Sequence, residues 1–216
     1  KADIGQNIRS LCRAGMADEV ANAIMDIHRV DPSIWMSAIN GLRTAFRYEG
    51  ERLSNDDRLR LQACIDMLVG SSIENRLMAL VSVPPFGDTY KDSSGDLVNA
   101  ATERAKALAN ELCKSGGEWV NYVGILLQGE QREGYAFGYS LGQCIEDPRS
   151  FLTEAFRALG ELDPQSANLI ALGGFLAGLR PRRVEPVREM LNAIGSSRLL
   201  VSYLPELTRW SNPEAE

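Results

Sequence analysis

The sequence predicts an all-α protein made of stacked helical hairpins, the architecture of an α-solenoid. Nearly every segment of the 216 residues repeats apolar side chains at helical spacing. Residues that start or stop helices separate these segments at short intervals. The C-terminal part also matches itself at an offset of 35 residues, which indicates a structural repeat. The segment Leu77–Val83 is the only plausible strand in the sequence.

Capping residues and glycines delimit the helices of the N-terminal part. Ser54, followed by Asp56 and Asp57, is typical of a helix start, because such side chains accept hydrogen bonds from the unpaired N–H groups of the first turn. Gly15 and Gly70 follow apolar stripes, so we expect them to end helices. The predicted helices cover 3–14, 17–29, a segment from 31 onward, 54–69 and 72–81.

An Asp-Pro pair occurs three times and predicts three helix starts. The aspartate caps the first turn, and the proline lacks the N–H that would otherwise have no partner there. The pairs are Asp31-Pro32, Asp147-Pro148 and Asp163-Pro164.

Residues 83–96, VPPFGDTYKDSSGD, interrupt the helical pattern with two prolines and two glycines. A loop of this length is uncommon inside a compact domain, so we expect an insertion that contacts a partner or is mobile. Asp88 and Asp92 are the candidate partner contacts. A calcium loop would alternate its ligands around a fixed glycine, and this segment does not. Asp96 is expected to cap the helix that follows.

The loop defines the expected domain organisation. We predict one helical-repeat domain over 1–216, with N-terminal helices at 1–82 and a more regular repeat half at 97–216. The chain begins with a lysine, so we expect a fragment of a longer protein. In the regular half, Gly116-Gly117 ends the first helix. The helices after that pair are predicted at 119–128, 131–145, 148–159, 164–179, 184–194 and 197–210.

Three glycines at four-residue spacing, Gly134, Gly138 and Gly142, lie inside one of these predicted helices. Each interior glycine costs roughly 0.5–1 kcal/mol relative to alanine, so the position must require the missing side chain. The offset of 35 residues aligns Gly138 with Gly173, and small residues meet small ones along both helices. A phosphate-binding loop would instead place its glycines between a strand and a helix. The pattern therefore predicts a close helix–helix crossing.

The four cysteines lie far apart and form no CxxC or Cys/His pair. Cys12, Cys64, Cys113 and Cys144 all sit among apolar helical positions, which predicts buried, reduced thiols and a reducing compartment. We therefore expect a cytoplasmic protein.

The charge balance disfavours two classes of partner. The net charge is −6, so the surface as a whole repels nucleic acid and anionic membranes. The longest apolar run, Leu169–Leu179, has about half of the roughly 20 residues that a membrane helix needs. We expect neither a membrane nor a nucleic acid as the principal partner.

Catalytic chemistry has little support in the sequence. His28 is the single histidine, and its place in the last turn of a helix predicts a favourable interaction with the helix dipole. The acidic pairs, Asp56 with Asp57 and Glu130 with Glu133, are typical of solvated helix starts. We therefore predict no enzymatic activity, no cofactor and no metal.

The residues RPRR reverse the acidic character of the chain locally. Arg180, Arg182 and Arg183 follow an apolar helix, and Arg188 lies a turn or so later. Cations at a helix C-terminus are the simplest interpretation, and contact with an anion or an acidic partner is the alternative. Of the tryptophans, Trp119 is expected in the core, and Trp210 either staples the last helix or meets a following domain.

The repeat resembles the HEAT and TPR types of helical repeat, although the diagnostic Trp, Tyr and Pro positions of the TPR motif are absent. Three further segments resemble the helical sensor or scaffold regions of very large bacterial proteins, some of which carry a signalling NTPase and act in antiviral defence. These segments are KDSSGDLVNAATERAKALANEL, LLQGEQREGYAFGYSLG and FLAGL. The resemblance implies a binding function without catalytic residues.

The expected function is therefore protein–protein interaction, as a scaffold or sensor. The partner would be another protein or another domain of the parent chain, and the oligomeric state stays open. Two alternatives remain: a helical repeat that binds nucleic acid or phosphate through Arg180–Arg183, and a helical enzyme whose site has no recognisable motif.

Overall fold

The computed structural model describes residues 2–33, 35–82, 89–91, 97–114, 118–179 and 184–211. The fold class is all-α, as predicted, and none of the described helices is long and apolar enough to cross a membrane. The helices are α1 (Ala2–Arg13), α2 (Ala17–Val30), α3 (Met36–Glu49), α4 (Asn55–Val69), α5 (Ile73–Leu77), α6 (Ala100–Lys114), α7 (Val123–Leu126), α8 (Gly134–Cys144), α9 (Pro148–Glu161), α10 (Ile170–Leu179), α11 (Val184–Ser196) and α12 (Leu204–Ser211). A π-helix covers Met78–Ser82, and 3-10 helices cover Glu118–Tyr122 and Val201–Tyr203.

Two compact units divide the chain. Unit 1 comprises residues 1–79 and 83–99, and unit 2 comprises 80–82 and 100–216. The single domain over 1–216 stays a prediction.

Unit 1 is a pair of helical hairpins whose equivalent helices run parallel. Successive contacts of α1 with α3 advance in the same direction, from Gly5 against Ser37 to Ile8 against Gly41. In the same way α2 runs parallel to α4. Arg60 of α4 pairs with Asp18 of α2 at 2.9 Å, and one turn further along both helices Cys64 contacts the carbonyl of Ala21. The shared core is apolar and includes Ile8, Ile24, Ile39, Leu42, Leu61 and Leu68.

Among the described residues of unit 1, one charged side chain is buried. Glu49 is 3% exposed at the end of α3. Arg9 of α1 donates to its carboxylate at 3.0 Å, and Arg52 lies 3.7 Å away. The Arg9 guanidinium also lies 4.2 Å from the ring centroid of Tyr48. This paired carboxylate fixes the end of α3 to α1.

The predicted capping signals of unit 1 are confirmed at three positions. Ser54 and Asp57 form a reciprocal capping box at the start of α4. Gly15 and Gly70 follow helices with φ of 83° and 61°, a region that favours glycine. The start predicted at Asp31-Pro32 is wrong, because Asp31 lies at the end of α2 and α3 begins at Met36.

A short strand pair lies in and beside the predicted insertion loop. The strands β1 (Thr89–Lys91) and β2 (Leu97–Asn99) pair antiparallel, with Tyr90 opposite Val98. Because β2 intervenes, α6 starts at Ala100 and not directly after Asp96. The remainder of the loop lies outside the described residues. The plausible strand at Leu77–Val83 is helical up to Ser82, which excludes a strand there.

Unit 2 is organised around three parallel helices that lie side by side in chain order, α6, α8 and α10. Thr102, near the start of α6, donates a hydrogen bond of 2.7 Å to Glu133 at the start of α8. At the other ends, Cys113 of α6 and Cys144 of α8 are joined. A second row packs α9 against both α7 and α11.

The glycines of α8 and α10 produce a reciprocal close contact, which confirms the predicted helix crossing. A Cβ on Gly138 would overlap the carbonyl oxygen of Ala171, and one on Gly142 would overlap that of Phe175. Conversely, a Cβ on Gly174 or Gly178 would overlap a backbone carbonyl of α8. The glycines of each helix therefore pack directly against the backbone of the other helix.

The bounds of successive helices follow the offset found in the sequence. Helix α9 ends at Glu161 and α11 at Ser196, 35 residues later. Of the two Asp-Pro starts in this unit, Asp147-Pro148 is confirmed, whereas Asp163 precedes a turn and α10 begins only at Ile170.

The prediction of four reduced cysteines is wrong for two of them. Cys113 and Cys144 form a disulfide between α6 and α8, while Cys12 and Cys64 are buried free thiols. Disulfides persist mainly in oxidising compartments. The prediction of a reducing compartment was based on four reduced thiols, and the disulfide removes that basis.

The tryptophans occupy the predicted kinds of position. Trp119 is buried, as expected for a core residue. Trp210 packs over Gly173 of α10, and its ring centroid lies 5.3 Å from that of Tyr135. It therefore staples α12 to α10, the first of the two expected alternatives.

Candidate functional site

A groove of about 360 Å³ lies in unit 2, between α9 and the segment that contains α7. One wall comes from the 3-10 helix and α7, with Val120, Gly124 and Gln128 facing the space. The other wall comes from α9 and the residue that follows it, with Arg157, Glu161 and Leu162. The groove therefore combines apolar surface with charge.

Stacked aromatic rings hold the two walls in place. Trp119 is buried next to Val120, and its ring centroid lies 5.4 Å from that of Phe151 in α9. Phe151 stacks in turn on Phe175 of α10, at 4.1 Å between centroids. Because Trp119 points into the core, its neighbour Val120 is left 41% exposed at the mouth of the groove.

Gly124 leaves the middle of the first wall open. A Cβ built on Gly124 would have no heavy atom within 4 Å, other than its own chain neighbours and the backbone of its helix. The carbonyl of Gly124 accepts a hydrogen bond of 3.1 Å from the side-chain amide of Gln128. A side chain at position 124 would therefore enter the groove without displacing the protein around it.

The far end of this wall is fixed by polar contacts. Asn168 donates its backbone N–H to Leu127 at 2.9 Å and its side-chain amide to Gly129 at 2.8 Å. The amide of Gln131, which is 3% exposed, donates to the carbonyls of Ile125 and Gln128 at 2.9 and 2.7 Å. These bonds satisfy the carbonyl of Ile125 in α7 and three carbonyls of the turn that follows it, so polar contacts fix that turn.

The second wall carries a charge triad on α9. Arg157 donates from Nε and Nη2 to Glu154, one turn earlier, and from Nη1 to Glu161, one turn later, at 2.5 Å. The bond from Arg157 holds the pKa of Glu154 below its usual value, and the two carboxylates raise the pKa of Arg157. With one cation and two anions, the triad has a net charge of −1.

Only Arg188 of the six predicted contact residues lies in the part of the chain that the structure describes. Arg180, Arg182, Arg183, Asp88 and Asp92 lie outside the described residues. Arg188 is exposed on α11, pairs with Glu185 at 2.8 Å, and is not among the residues that line the groove.

The structure also describes His28 and Glu133, two polar residues for which the sequence made predictions. His28 lies in the last turn of α2, as predicted, and its Nδ1 is buried without a hydrogen-bond partner. Glu133 is 7% exposed and accepts from Thr102, so the prediction of a solvated helix start is wrong for it. Its partner in that prediction, Glu130, is exposed.

The sequence contains a signal for one wall of the groove and none for the other. Arg157 lies three residues after Glu154 and four residues before Glu161, the spacing of ion pairs on a helix. This spacing is visible in the sequence. Val120 and Gly124 carry no such pattern, because the space in front of them is created by α9.

The search for metal-binding groups and the comparisons with known proteins both gave negative results. Over the part of the chain that the structure describes, no three His, Cys, Asp or Glu residues are grouped so that they could hold a metal ion. No family model matches the sequence, and comparisons with curated proteins and with solved structures find no match either.

Proposed function

We propose that this protein is a protein-interaction scaffold built from stacked helical hairpins, and that a partner docks in the groove between α7 and α9. The observation that carries the proposal is the parallel order of α6, α8 and α10, with a second row of helices beside them. Stacked parallel repeats of this kind are typical of α-solenoids, whose surfaces bind other proteins.

The same arrangement within unit 1 supports the solenoid interpretation. There, α1 runs parallel to α3 and α2 runs parallel to α4, as successive hairpins of a solenoid do. In unit 2 the offset of 35 residues between helix ends adds a regular spacing. Both features are expected when one hairpin is repeated along a chain.

The position of the groove supports a docking role. It lies between α7 and α9, neighbours in the second row of unit 2, where a solenoid presents a continuous surface to a partner. Its lining offers hydrogen-bonding groups and exposed apolar surface, the mixture found in protein interfaces. Its carboxylates are engaged by Arg157, an arrangement that suits recognition better than acid–base catalysis.

The scaffold function can be tested with a variant that fills the groove. Gly124→Leu would place a side chain in the open space, and Gly160→Leu, on α9 where a Cβ also meets nothing within 4 Å, is the matched control. Tagged wild-type protein and both variants are used to capture partners from a nuclease-treated lysate of the source organism. Mass spectrometry then compares the recovered proteins.

A protein captured by the wild type and by Gly160→Leu, but lost with Gly124→Leu, is the expected result. Equal melting temperatures of the two variants would establish that folding is not the cause. Should Gly124→Leu unfold, Val120→Asp at the exposed mouth is the second variant. Capture that survives both groove variants would contradict docking at this site.

A further inference from the structure

The disulfide joins the two helix ends that precede the walls of the groove. Cys113 lies near the end of α6, and Cys144 lies at the end of α8. Along the chain, α6 precedes the 3-10 helix of the first wall, which begins at Glu118. Helix α8 precedes α9, the second wall, which begins at Pro148. The covalent bond therefore restrains both walls close to where they start.

The bonded pair is more accessible than the other two cysteines. Cys12 and Cys64 are 4% and 2% exposed, whereas Cys113 and Cys144 are both partly exposed. Thiol–disulfide exchange requires a thiol to reach one of the bonded sulfurs. A reductant in solution can therefore approach the pair while the protein is folded, and burial keeps the two free thiols out of the exchange.

The same helix packing accommodates the reduced pair. The Sγ atom of Cys113 lies 3.8 Å from the carbonyl oxygen of Leu141 in α8. The Sγ atom of Cys144 lies 3.9 Å from the carbonyl oxygen of Ala109 in α6. A thiol is a weak donor, and a carbonyl oxygen can accept two hydrogen bonds. Each thiol formed by reduction has a backbone carbonyl of the opposite helix within reach, so reduction does not force the helices apart.

Non-covalent contacts connect the same elements independently of the disulfide. Trp119 of the first wall packs against Phe151 of α9, with 5.4 Å between their ring centroids. The hydrogen bond from Thr102 to Glu133 joins α6 and α8 at their other ends. We therefore expect reduction to loosen the groove without unfolding unit 2. A looser groove binds more weakly, because docking must then order its walls.

We propose that the Cys113–Cys144 pair is a reversible redox switch that controls docking in the groove. The disulfide form holds the walls in the docking geometry, and the dithiol form binds the partner more weakly. This inference rests on the proposed docking function and specifies how that function is regulated. The change in the groove itself does not depend on which partner docks.

The reductant is a dithiol, and the exchange proceeds in two steps. A thiolate of the reductant attacks one sulfur of the pair, forms a mixed disulfide and displaces the other cysteine as a thiolate, which takes up a proton. The second thiol of the reductant then attacks its own sulfur in the mixed disulfide and releases the remaining cysteine, which is protonated in turn. Two electrons and two protons pass to the cysteine pair, and the reductant leaves as a cyclic disulfide.

The test follows hydrogen–deuterium exchange of the full chain by mass spectrometry, before and after treatment with dithiothreitol in the absence of denaturant. Alkylation of the native reduced protein should label Cys113 and Cys144. We expect exchange over 118–128 and over α9 to rise roughly tenfold on reduction, because the bond no longer opposes local opening. Exchange in α4 of unit 1 should stay within about twofold, and oxidised dithiothreitol should restore slow exchange at both walls.

A double variant separates loss of the bond from other effects of the reductant. With Cys113→Ser and Cys144→Ser, each serine keeps a donor for the carbonyl of Leu141 or Ala109. This variant should exchange like the reduced wild type and should not respond to dithiothreitol. Three results would overturn the switch: a native disulfide that resists dithiothreitol, unchanged exchange at both walls, or an equal rise in all described helices of unit 2.

Partner capture distinguishes failure of the switch from failure of the docking function. The probe is the protein that the wild type captures and Gly124→Leu loses, and the oxidised wild type should retain at least about threefold more of it than the double serine variant. Equal capture by the two forms would overturn redox control and leave the docking function standing. Looser walls on reduction, without any captured protein that Gly124→Leu loses, would contradict docking and, with it, the control of docking.

Discussion

The three Asp-Pro pairs contain the same two residues and have different structures. Asp147 accepts from the N–H of Ser150, three residues on, at 3.2 Å, and α9 starts there. Asp31 accepts from Ser33 and Asp163 from Gln165, each two residues on, at 3.1 Å. In this chain the bond to the third residue caps a helix, whereas the bonds to the second residue stabilise turns. Where the following residues pack decides between the two.

The cap at Asp147 predicts a pH-dependent contribution to stability. Hydrogen bonds from Ser150 lower the pKa of Asp147 below its ordinary value of 3.8. A carboxyl group whose pKa is lower in the folded state stabilises the fold above its unfolded pKa, and this contribution is lost as the pH falls through the folded pKa. We expect Asp147→Asn to lower the melting temperature at pH 7.

The comparison of wild type with Asp147→Asn at several pH values measures this effect. The difference in melting temperature should shrink as the pH falls below 3.8 and Asp147 becomes protonated. Asp163→Asn, which alters a turn and not a helix cap, is the control and should have a smaller effect at pH 7. Because asparagine caps a helix about as well as aspartate, a melting temperature unchanged by Asp147→Asn at pH 7 would exclude a stabilising contribution from the charge of Asp147.

The two free thiols show what burial does to a single side chain. Burial raises the pKa of Cys64, and it raises that of Cys12 to about 11, with further contributions from Asp57 and Glu49. Thiolate is the nucleophilic form, so a raised pKa makes both residues less reactive at neutral pH than an exposed thiol. Their apolar helical spacing was sufficient to predict this, because burial on a helix face follows from local periodicity.

At the scale of elements, the contact between α8 and α10 depends on the absence of side chains. The position of Gly138 faces the carbonyl of Ala171, a backbone atom that cannot move aside as a flexible side chain could. The same holds for Gly142, Gly174 and Gly178. Close approach of the two backbones also allows Cα–H···O contacts between them.

Gly138→Ala should therefore destabilise unit 2. Overpacking at a tight contact costs about 1–3 kcal/mol, more than the helix propensity that alanine adds. Gly160→Ala is the control, because nothing lies within 4 Å of a Cβ there, and it should stabilise the protein by about 0.5–1 kcal/mol. Denaturant unfolding measures both, and equal effects of the two variants would contradict the close crossing.

The disulfide between α6 and α8 predicts sensitivity to reductants. Its two cysteines lie 31 residues apart, and closing a loop of that size stabilises a fold by about 2–4 kcal/mol. We expect dithiothreitol to lower the denaturant midpoint of the wild type. A variant with Cys113→Ser and Cys144→Ser should start at the lower midpoint and show no response.

Alkylation followed by mass spectrometry checks the same bond directly. The protein unfolded without reductant should take up two alkyl groups, at Cys12 and Cys64, and four after reduction. Four alkyl groups without reductant would show that the disulfide is absent. Protein isolated under conditions that block thiol exchange is needed, since disulfides exchange with free thiols.

At the scale of the whole molecule, the net charge of −6 sets the expected behaviour towards polyanions. We expect no saturable binding of a labelled DNA duplex at about 150 mM salt, because an acidic surface repels the phosphate backbone. Fluorescence anisotropy provides the measurement. Saturable binding that disappears in the triple variant Arg180→Ala, Arg182→Ala and Arg183→Ala would favour the nucleic-acid alternative.

The helical class, most helix bounds and the close crossing at Gly138 follow from local patterns in the sequence. These depend on short-range physics: apolar spacing, the caps at Ser54 and Asp147, and the side chains that glycine lacks. The self-match of 35 residues agrees with the ends of α9 and α11.

The Cys113–Cys144 pair, the turns at Asp31 and Asp163, and the groove depend on contacts between residues far apart in the chain. A disulfide requires two side chains far apart in sequence to meet, and no local pattern encodes that distance. The groove likewise exists because Trp119 and Phe151 bring Gly124 opposite Arg157. A local sequence pattern predicts which face of a helix is apolar. Long-range packing decides which of these faces contact each other.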